Sequence, residues 1–271
     1  MAGKKKDTSL LHHLIGSRSL VWNLAKNDIK KKFAGSYFGV VWAFVQPVIT
    51  VLLYWFVFEK GLNSKATDLR TGIEIPFVLW LTAGLVPWFY FQEALNGGTG
   101  VLVEYSYLVK KVVFQIDMLP VVKMISALFT HLFFVAFTIV LFICMGYMPD
   151  WYALQVVYYS FCMILFATGL VYATSAVTVF FRDMKEVVGI LLQIGMWVTP
   201  IMWNFETMVQ IPGWAIAVLK LNPMYYIVSG YRNALINHIG FWEDMGITVY
   251  FWVVTAVILF LGTTVFKRLR P

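Results

Sequence analysis

Long apolar runs separated by short polar or basic connections dominate this chain. A helix needs about 20 mostly apolar residues to cross a hydrocarbon layer roughly 30 Å thick. Six stretches read that way: Phe38–Phe58, Pro76–Leu95, Pro120–Gly146, Trp151–Phe181, Val187–Trp203 and Ile247–Phe266. The fourth is too long to cross upright and predicts a tilted or projecting helix. The fifth carries Gly195 and Pro200, which predict a break near its outer end. Ahead of the first span, residues 9–34 place Leu11, Leu14, Ile15, Trp22, Ala25, Ile29 and Phe33 at three- and four-residue steps. Asn23, Lys26, Asn27, Lys30 and Lys31 fall opposite, the pattern of a basic amphipathic helix lying in a membrane interface.

Two connections exceed what a turn requires. Residues 204–246 are apolar in patches but punctuated by Pro212, Gly213, Asn222 and Pro223, which predicts short re-entrant or interfacial helices at the outer face. Residues 96–119 open with Asn96-Gly97-Gly98-Thr99-Gly100, and 101–114 then mix apolar and polar positions as a short surface helix does. The fold expected is an all-α integral membrane protein. It forms one transmembrane domain over residues 1–271, with six spans, an N-terminal interfacial helix and short outer helices between spans five and six.

Composition supports the bilayer. Of 271 residues 60% are hydrophobic and only 13% charged, outside the range of a soluble domain. The 21 Lys and Arg exceed the 14 Asp and Glu, giving a net charge of +7. Sorted by connection, 16 of these cations fall on one side, among them Lys4–Lys6, Lys30–Lys32, Lys110, Lys111, Arg182, Lys185, Lys267, Arg268 and Arg270. Five fall on the other: Lys60, Lys65, Arg70, Lys220 and Arg232. The asymmetry places both termini in the cytoplasm. No apolar segment follows Lys4–Lys6, so no signal-peptide cleavage is expected. Nucleic acid is not an expected partner, because the basic excess is accounted for by topology.

Catalytic constellations do not assemble. The sequence holds no GxxxxGK[ST] phosphate loop and no HExxH, and Cys144 and Cys162 read as buried thiols rather than a metal cluster. Glu243-Asp244 is the one adjacent carboxylate pair, and neighbouring positions point apart. No catalytic residue, no resident cofactor and no metal site are expected. Ion-driven transport would leave ionisable groups inside the spans. Only Glu93, near the inner end of span two, and His131, midway along span three, qualify. Glu93 reads as an interfacial residue and His131 as a neutral imidazole bonded to a neighbouring helix, with a proton relay as its alternative. The motive force must then come from another subunit. Gly35-Ser36-Tyr37-Phe38-Gly39 marks either close helix contact in a dimer or the bend into the first span. Trp42, Phe44, Tyr54 and Trp88 are candidates to line a conduit for a sliding polymer, although lipid-facing bulk is the default reading of membrane aromatics.

These features converge. Phe33, Ser36, Phe38-Gly39, Trp42 and Pro47 at the first junction, Lys111, Phe114 and Leu119-Pro120 in the cytoplasmic loop, and Phe181-Arg182-Asp183 after span four form an ordered set. Thr199-Pro200-Ile201-Met202-Trp203 and Asn222-Pro223 complete it on the outer side. The set resembles the membrane subunits of ABC exporters of cell-surface polymers, above all those that translocate teichoic acid; Gln115 stands where that family usually has proline. The resemblance implies a homodimeric permease of the bacterial plasma membrane, with two cytoplasmic ABC ATPase subunits that carry ATP and Mg. It implies a coupling helix over Glu104–Phe114, with Glu104, Tyr105, Tyr107, Leu108, Lys110 and Lys111 meeting the ATPase. It also implies a gate at Lys30, Lys31, Lys32, Ser36 and Tyr37, beside the access route of an undecaprenyl-diphosphate-linked polyol-phosphate polymer. Those lysines serve equally well as anchors to anionic membrane lipid.

Rival readings are O-antigen or other polysaccharide export by the same class of permease, a membrane-embedded transferase on polyprenyl-linked sugars, and a passive channel. The transferase would need clustered acids near the inner face, where Asp117 and Asp183 stand isolated in sequence.

Overall fold

A computed structural model of the protein describes residues 18–32, 36–109, 116–203 and 212–269. Helices begin with α1 (Arg18–Lys32). After a 3-10 turn at Gly39–Val41, α2 (Trp42–Trp55) continues as a π turn through Gly61. Then come α3 (Phe77–Thr99), the short α4 (Val101–Glu104) and α5 (Ser106–Val109), and α6 (Met118–Cys144). A 3-10 turn at Trp151–Leu154 leads into α7 (Gln155–Phe180), followed by α8 (Met184–Val198). The chain closes with α9 (Gly213–Lys220), α10 (Pro223–Arg232) running into a π turn at Asn233–Asn237, and α11 (Met245–Leu269).

Among the described residues, four helices are long and apolar enough to cross a membrane: Trp42–Gly61, Met118–Cys144, Trp151–Phe180 and Met245–Leu269. The other two expected spans also hold helices, of different character. α3 has 23 residues, about 34 Å at the helical rise, but its C-terminal end carries Gln92, Glu93 and Asn96. It packs against α2, α6, α7, α8 and α10, so protein rather than lipid surrounds it. α8 has only 15 residues, about 22 Å. It stops because Thr199 is extended (φ −78°, ψ 125°) ahead of Pro200, as a residue before proline prefers.

Two features depart from a purely helical chain with the expected boundaries. A small antiparallel ribbon, β1 (Ala66–Thr67) with β2 (Glu74–Ile75), joins α2 to α3 and pairs Ala66 with Ile75 and Thr67 with Glu74. Its turn is made by Asp68, whose carboxylate accepts from the Arg70 N–H and the Thr71 hydroxyl, and by Gly72 at φ +69°. Residues 101–109 form two short helices rather than one, interrupted at Tyr105.

The core lies around α3, where Trp88, Tyr90 and Phe91 meet Phe134, Phe166 and Tyr159. α7 and α11 touch through their backbones. A Cβ on Gly262 would sit 1.9 Å from the Gly169 carbonyl oxygen, and one on Gly169 would sit 2.8 Å from the Ile258 backbone. Such close approach is how membrane helices gain dispersion contact where lipid removes the hydrophobic drive. Hydroxyls inside the spans bond back along their own helices, Thr82 to Val78, Thr138 to Phe134 and Thr168 to Ile164.

Candidate functional site

A polar junction forms where α1 meets α4, α5 and the start of α6. α1 packs through Val21 and Ala25 onto Met118 and Val122. That face is rotated from the expected one: Trp22 is exposed and touches Phe129, and the third buried residue is Asp28. Asp28 is 4% exposed, an expensive place for a carboxylate without partners. It has two. The Tyr105 hydroxyl donates to Asp28 Oδ1 at 2.7 Å, and Lys123 Nζ donates to the same oxygen at 2.7 Å. Lys123 also pairs with Glu104 at 2.9 Å. One carboxylate of α1 thereby ties α4, the Tyr105 break and the first turns of α6 together.

Tyr105 explains the break between α4 and α5. With Val101 and Leu102 it is buried against Leu119, Tyr172 and Phe266, so the chain turns inward there instead of continuing a surface helix. Burial, and then the bond to Asp28, push its phenol well above the ordinary tyrosine range, so it remains a donor. Tyr107 stays exposed. Leu108 lies in α5, and Lys110 and Lys111 lie outside the described residues.

The expected gate lysines divide. Lys30 is exposed. Lys31 Nζ donates to the Tyr107 hydroxyl at 3.3 Å and lies over the Tyr105 and Tyr107 rings at 5.4 and 5.6 Å. Lys32 pairs with Glu93 of α3 at 2.6 Å. Two of the three expected gate lysines therefore connect α1 to the expected coupling segment and to the C-terminal end of α3. Ser36 and Tyr37 are exposed just before Gly39, whose φ of +53° turns the chain into α2. Gly39 serves the bend; Gly35 and Phe33 are outside the described residues.

The four aromatics proposed for a conduit do not share one environment. Trp42 is exposed at the start of α2, Phe44 packs on Phe133 with ring centroids 4.1 Å apart, and Tyr54 meets Phe58 edge-on. Trp88 is 2% exposed, and it borders an apolar cavity of about 230 Å³ together with Phe91, Phe166 and Leu192.

Three groups carry polarity deeper into the helices. His131 Nε2 lies 3.2 Å from Ser160 Oγ on α7 and 3.1 Å from the Tyr231 hydroxyl on α10, so its ring is bonded to neighbouring helices. Tyr158, Tyr226 and Thr248 form a hydroxyl chain with 3.1 Å steps. Arg232, placed by sequence among outer-side cations, is buried at 6% exposure. Its guanidinium donates to the carbonyls of Pro200 and Ile201 at 2.7 Å and of Trp80 at 3.3 Å, and it stacks on the Trp80 ring. It caps carbonyls freed by the break after α8, which neither spacing nor composition signals. No group of three or more metal-ligating side chains occurs among the described residues.

Comparison with known proteins gives one consistent result. A family profile described as "ABC-2 type transporter" matches residues 19–236. Over 96% of both chains, the sequence is 24% identical to an O-antigen export system permease protein RfbA of Myxococcus xanthus. It is 20% identical to a protein of the same name from Klebsiella pneumoniae, over 91% of this chain and 90% of the relative.

Proposed function

The chain belongs to the ABC-2 type transporter family, and from that premise we propose that it is the membrane half of an ATP-driven exporter of a cell-surface polysaccharide. In this reading two copies form the permease, two cytoplasmic ATPase subunits supply ATP and Mg chemistry, and the exported polymer is carried on a polyprenyl diphosphate. The chain crosses the plasma membrane six times with both termini inside. α3 and the short α8 act as spans inside the protein envelope, and α9 and α10 re-enter from the outer face.

The observation that carries the reading is the Asp28–Tyr105–Lys123–Glu104 junction. It joins the segment expected to seat in an ATPase groove to the interfacial helix and to a span. Closure of the ATPases would push on α4 and α5; Asp28 and Lys31 would carry that push to α1, and Lys123 would carry it to α6. A polar polymer cannot cross bare hydrocarbon, so the motion must open a hydrated path shielded from lipid. This chain performs no bond chemistry in that cycle.

Polysaccharide is the substrate because the relatives over nearly the full length are named for O-antigen export. A teichoic-acid-type polyol phosphate is the second reading, resting on the resemblance of the ordered motif set as a whole to teichoic acid permeases. Purification of a tagged chain from its own cells tests the assembly. An ABC ATPase should co-purify in equal amount, and a chain that purifies alone while remaining active in export would overturn the reading.

A further inference from the structure

A partly enclosed cavity of about 150 Å³ lies between α10, the loop 239–244 and the start of α11. It sits at the end where α7 and α11 begin, the outer end in the proposed topology. Its volume matches the share of roughly five liquid water molecules, about that of one sugar ring.

The lining combines aromatic rings with polar side chains. Tyr159 and Tyr226 present aromatic surface, with ring centroids 5.3 Å apart. Tyr159 reaches that place because residue 230 is glycine, where a Cβ would stand 2.2 Å from the ring. The Tyr226 hydroxyl is already held by Tyr158 and Thr248, which fixes the ring. Ser229 and Asn233, one turn apart at the end of α10, also line the cavity. Asn233 Oδ1 accepts from Asn237 Nδ2 at 2.8 Å, which orients the amide. Ser229 Oγ and Asn233 Nδ2 have no protein partner among the described residues. The charged members of the lining are one cation, Lys220, and one anion, Asp244, of opposite sign, and Ile239, Phe241 and Ile247 add apolar surface.

Fixed aromatic rings beside an oriented amide and a hydroxyl form the chemistry that takes a sugar: its C–H face packs on the rings, and its hydroxyls satisfy the open polar groups. A phosphodiester would gain Lys220 but meet the Asp244 carboxylate. We propose that this cavity is a recognition site for one neutral, hydroxyl-rich ring of the polymer as it leaves the outer face. The proposal rests on the export reading and names its substrate class.

The test uses living cells that carry the full exporter. In a Cys144→Ala background, Ser229→Cys is exposed to a membrane-impermeant maleimide, in cells that make the polymer and in cells that cannot. Labelling should be roughly tenfold slower when polymer is present, the size of effect expected of a bound group held by a few hydrogen bonds. A Trp242→Cys control on the exposed outer surface should not change. Equal labelling of Ser229→Cys in both cells overturns the site. Protection that disappears in a Lys220→Glu background indicates a phosphate instead and overturns the neutral-ring assignment. Asn233→Leu should lower surface polymer roughly tenfold while ATPase association and hydrolysis persist; unchanged export also overturns the site. Failure of the export reading looks different, because deleting the gene would then leave surface polymer unaltered.

Discussion

The Tyr105 hydroxyl donates a 2.7 Å hydrogen bond to Asp28, across 77 positions of sequence, and so joins the break in the expected coupling segment to the buried face of α1. Its removal should separate the two functions that the junction links. Tyr105→Phe keeps the packing against Leu119 and Phe266, and should cost about 1 kcal/mol of stability. In the complex it should raise the ATP hydrolysed per polymer exported. Thermal unfolding, together with the ratio of hydrolysis to transport, checks both effects; an unchanged ratio would remove Asp28 from the coupling route.

Asp28→Ala should be more severe than Tyr105→Phe. It takes the buried carboxylate from a largely covered lysine and leaves Lys123 with Glu104 alone, a half-exposed partner. Breaking a buried pair from one side costs on the order of 3 kcal/mol. Asp28→Ala combined with Lys123→Met should recover part of that loss, as measured by denaturation in detergent.

The β1–β2 ribbon should loosen on acidification. Burial raises the Asp68 pKa, but the bonds from the Thr71 hydroxyl and the Arg70 and Thr71 N–H groups outweigh it, and the carboxyl lies below its ordinary 3.8. A depressed carboxyl contributes stability that is present above its unfolded pKa and lost as pH falls through the folded value. Hydrogen exchange across residues 67–75 should therefore rise only below about pH 4, close to the ordinary carboxyl value. In Asp68→Asn the acid-dependent step should vanish.

Arg232 should tolerate no neutral replacement. Arg232→Met leaves the carbonyls of Trp80, Pro200 and Ile201 without their donor, at roughly 1–3 kcal/mol for each buried orphan. The variant should lose most of its thermal stability in detergent. Arg232→Lys retains the charge but not the planar fork, and should fall between the two.

Gly262→Ala should force α11 away from α7, because the new methyl group would overlap the Gly169 carbonyl. A cost of about 1–3 kcal/mol is expected for such overpacking. Gly189→Ala on α8, with no heavy atom within 4 Å of the new methyl, is the matched control and should leave stability unchanged or slightly raised.

Helices were legible because apolar length is a strong signal: each of the six stretches holds a helix, and α6 begins two residues ahead of the expected Pro120. The ribbon at Ala66–Thr67 was not, since two-residue strands carry no periodicity; only the Asp68–Gly72 turn chemistry marked it. Asp28 escaped notice because a charged residue on a basic amphipathic helix is ordinarily solvated, and its burial depends on Tyr105 and Lys123, distant in sequence. Arg232 was sorted by connection rather than by depth. Its standing as the one Lys, Arg, Asp or Glu between Lys220 and Glu243 is the available signal of its burial. Ser229 and Asn233 were invisible as a site, because nothing local to α10 indicates that Tyr159 closes over Gly230.

The account stands on borrowed power: few titratable groups lie in the spans, and the polar junction ties the expected coupling segment to α1 and α6. Vesicles reconstituted with the purified chain alone, and with the chain plus its co-purified ATPase, test this directly through ATP-dependent accumulation of polymer. Accumulation is expected only when the ATPase and ATP are both present. Accumulation against a gradient by the chain alone would contradict it.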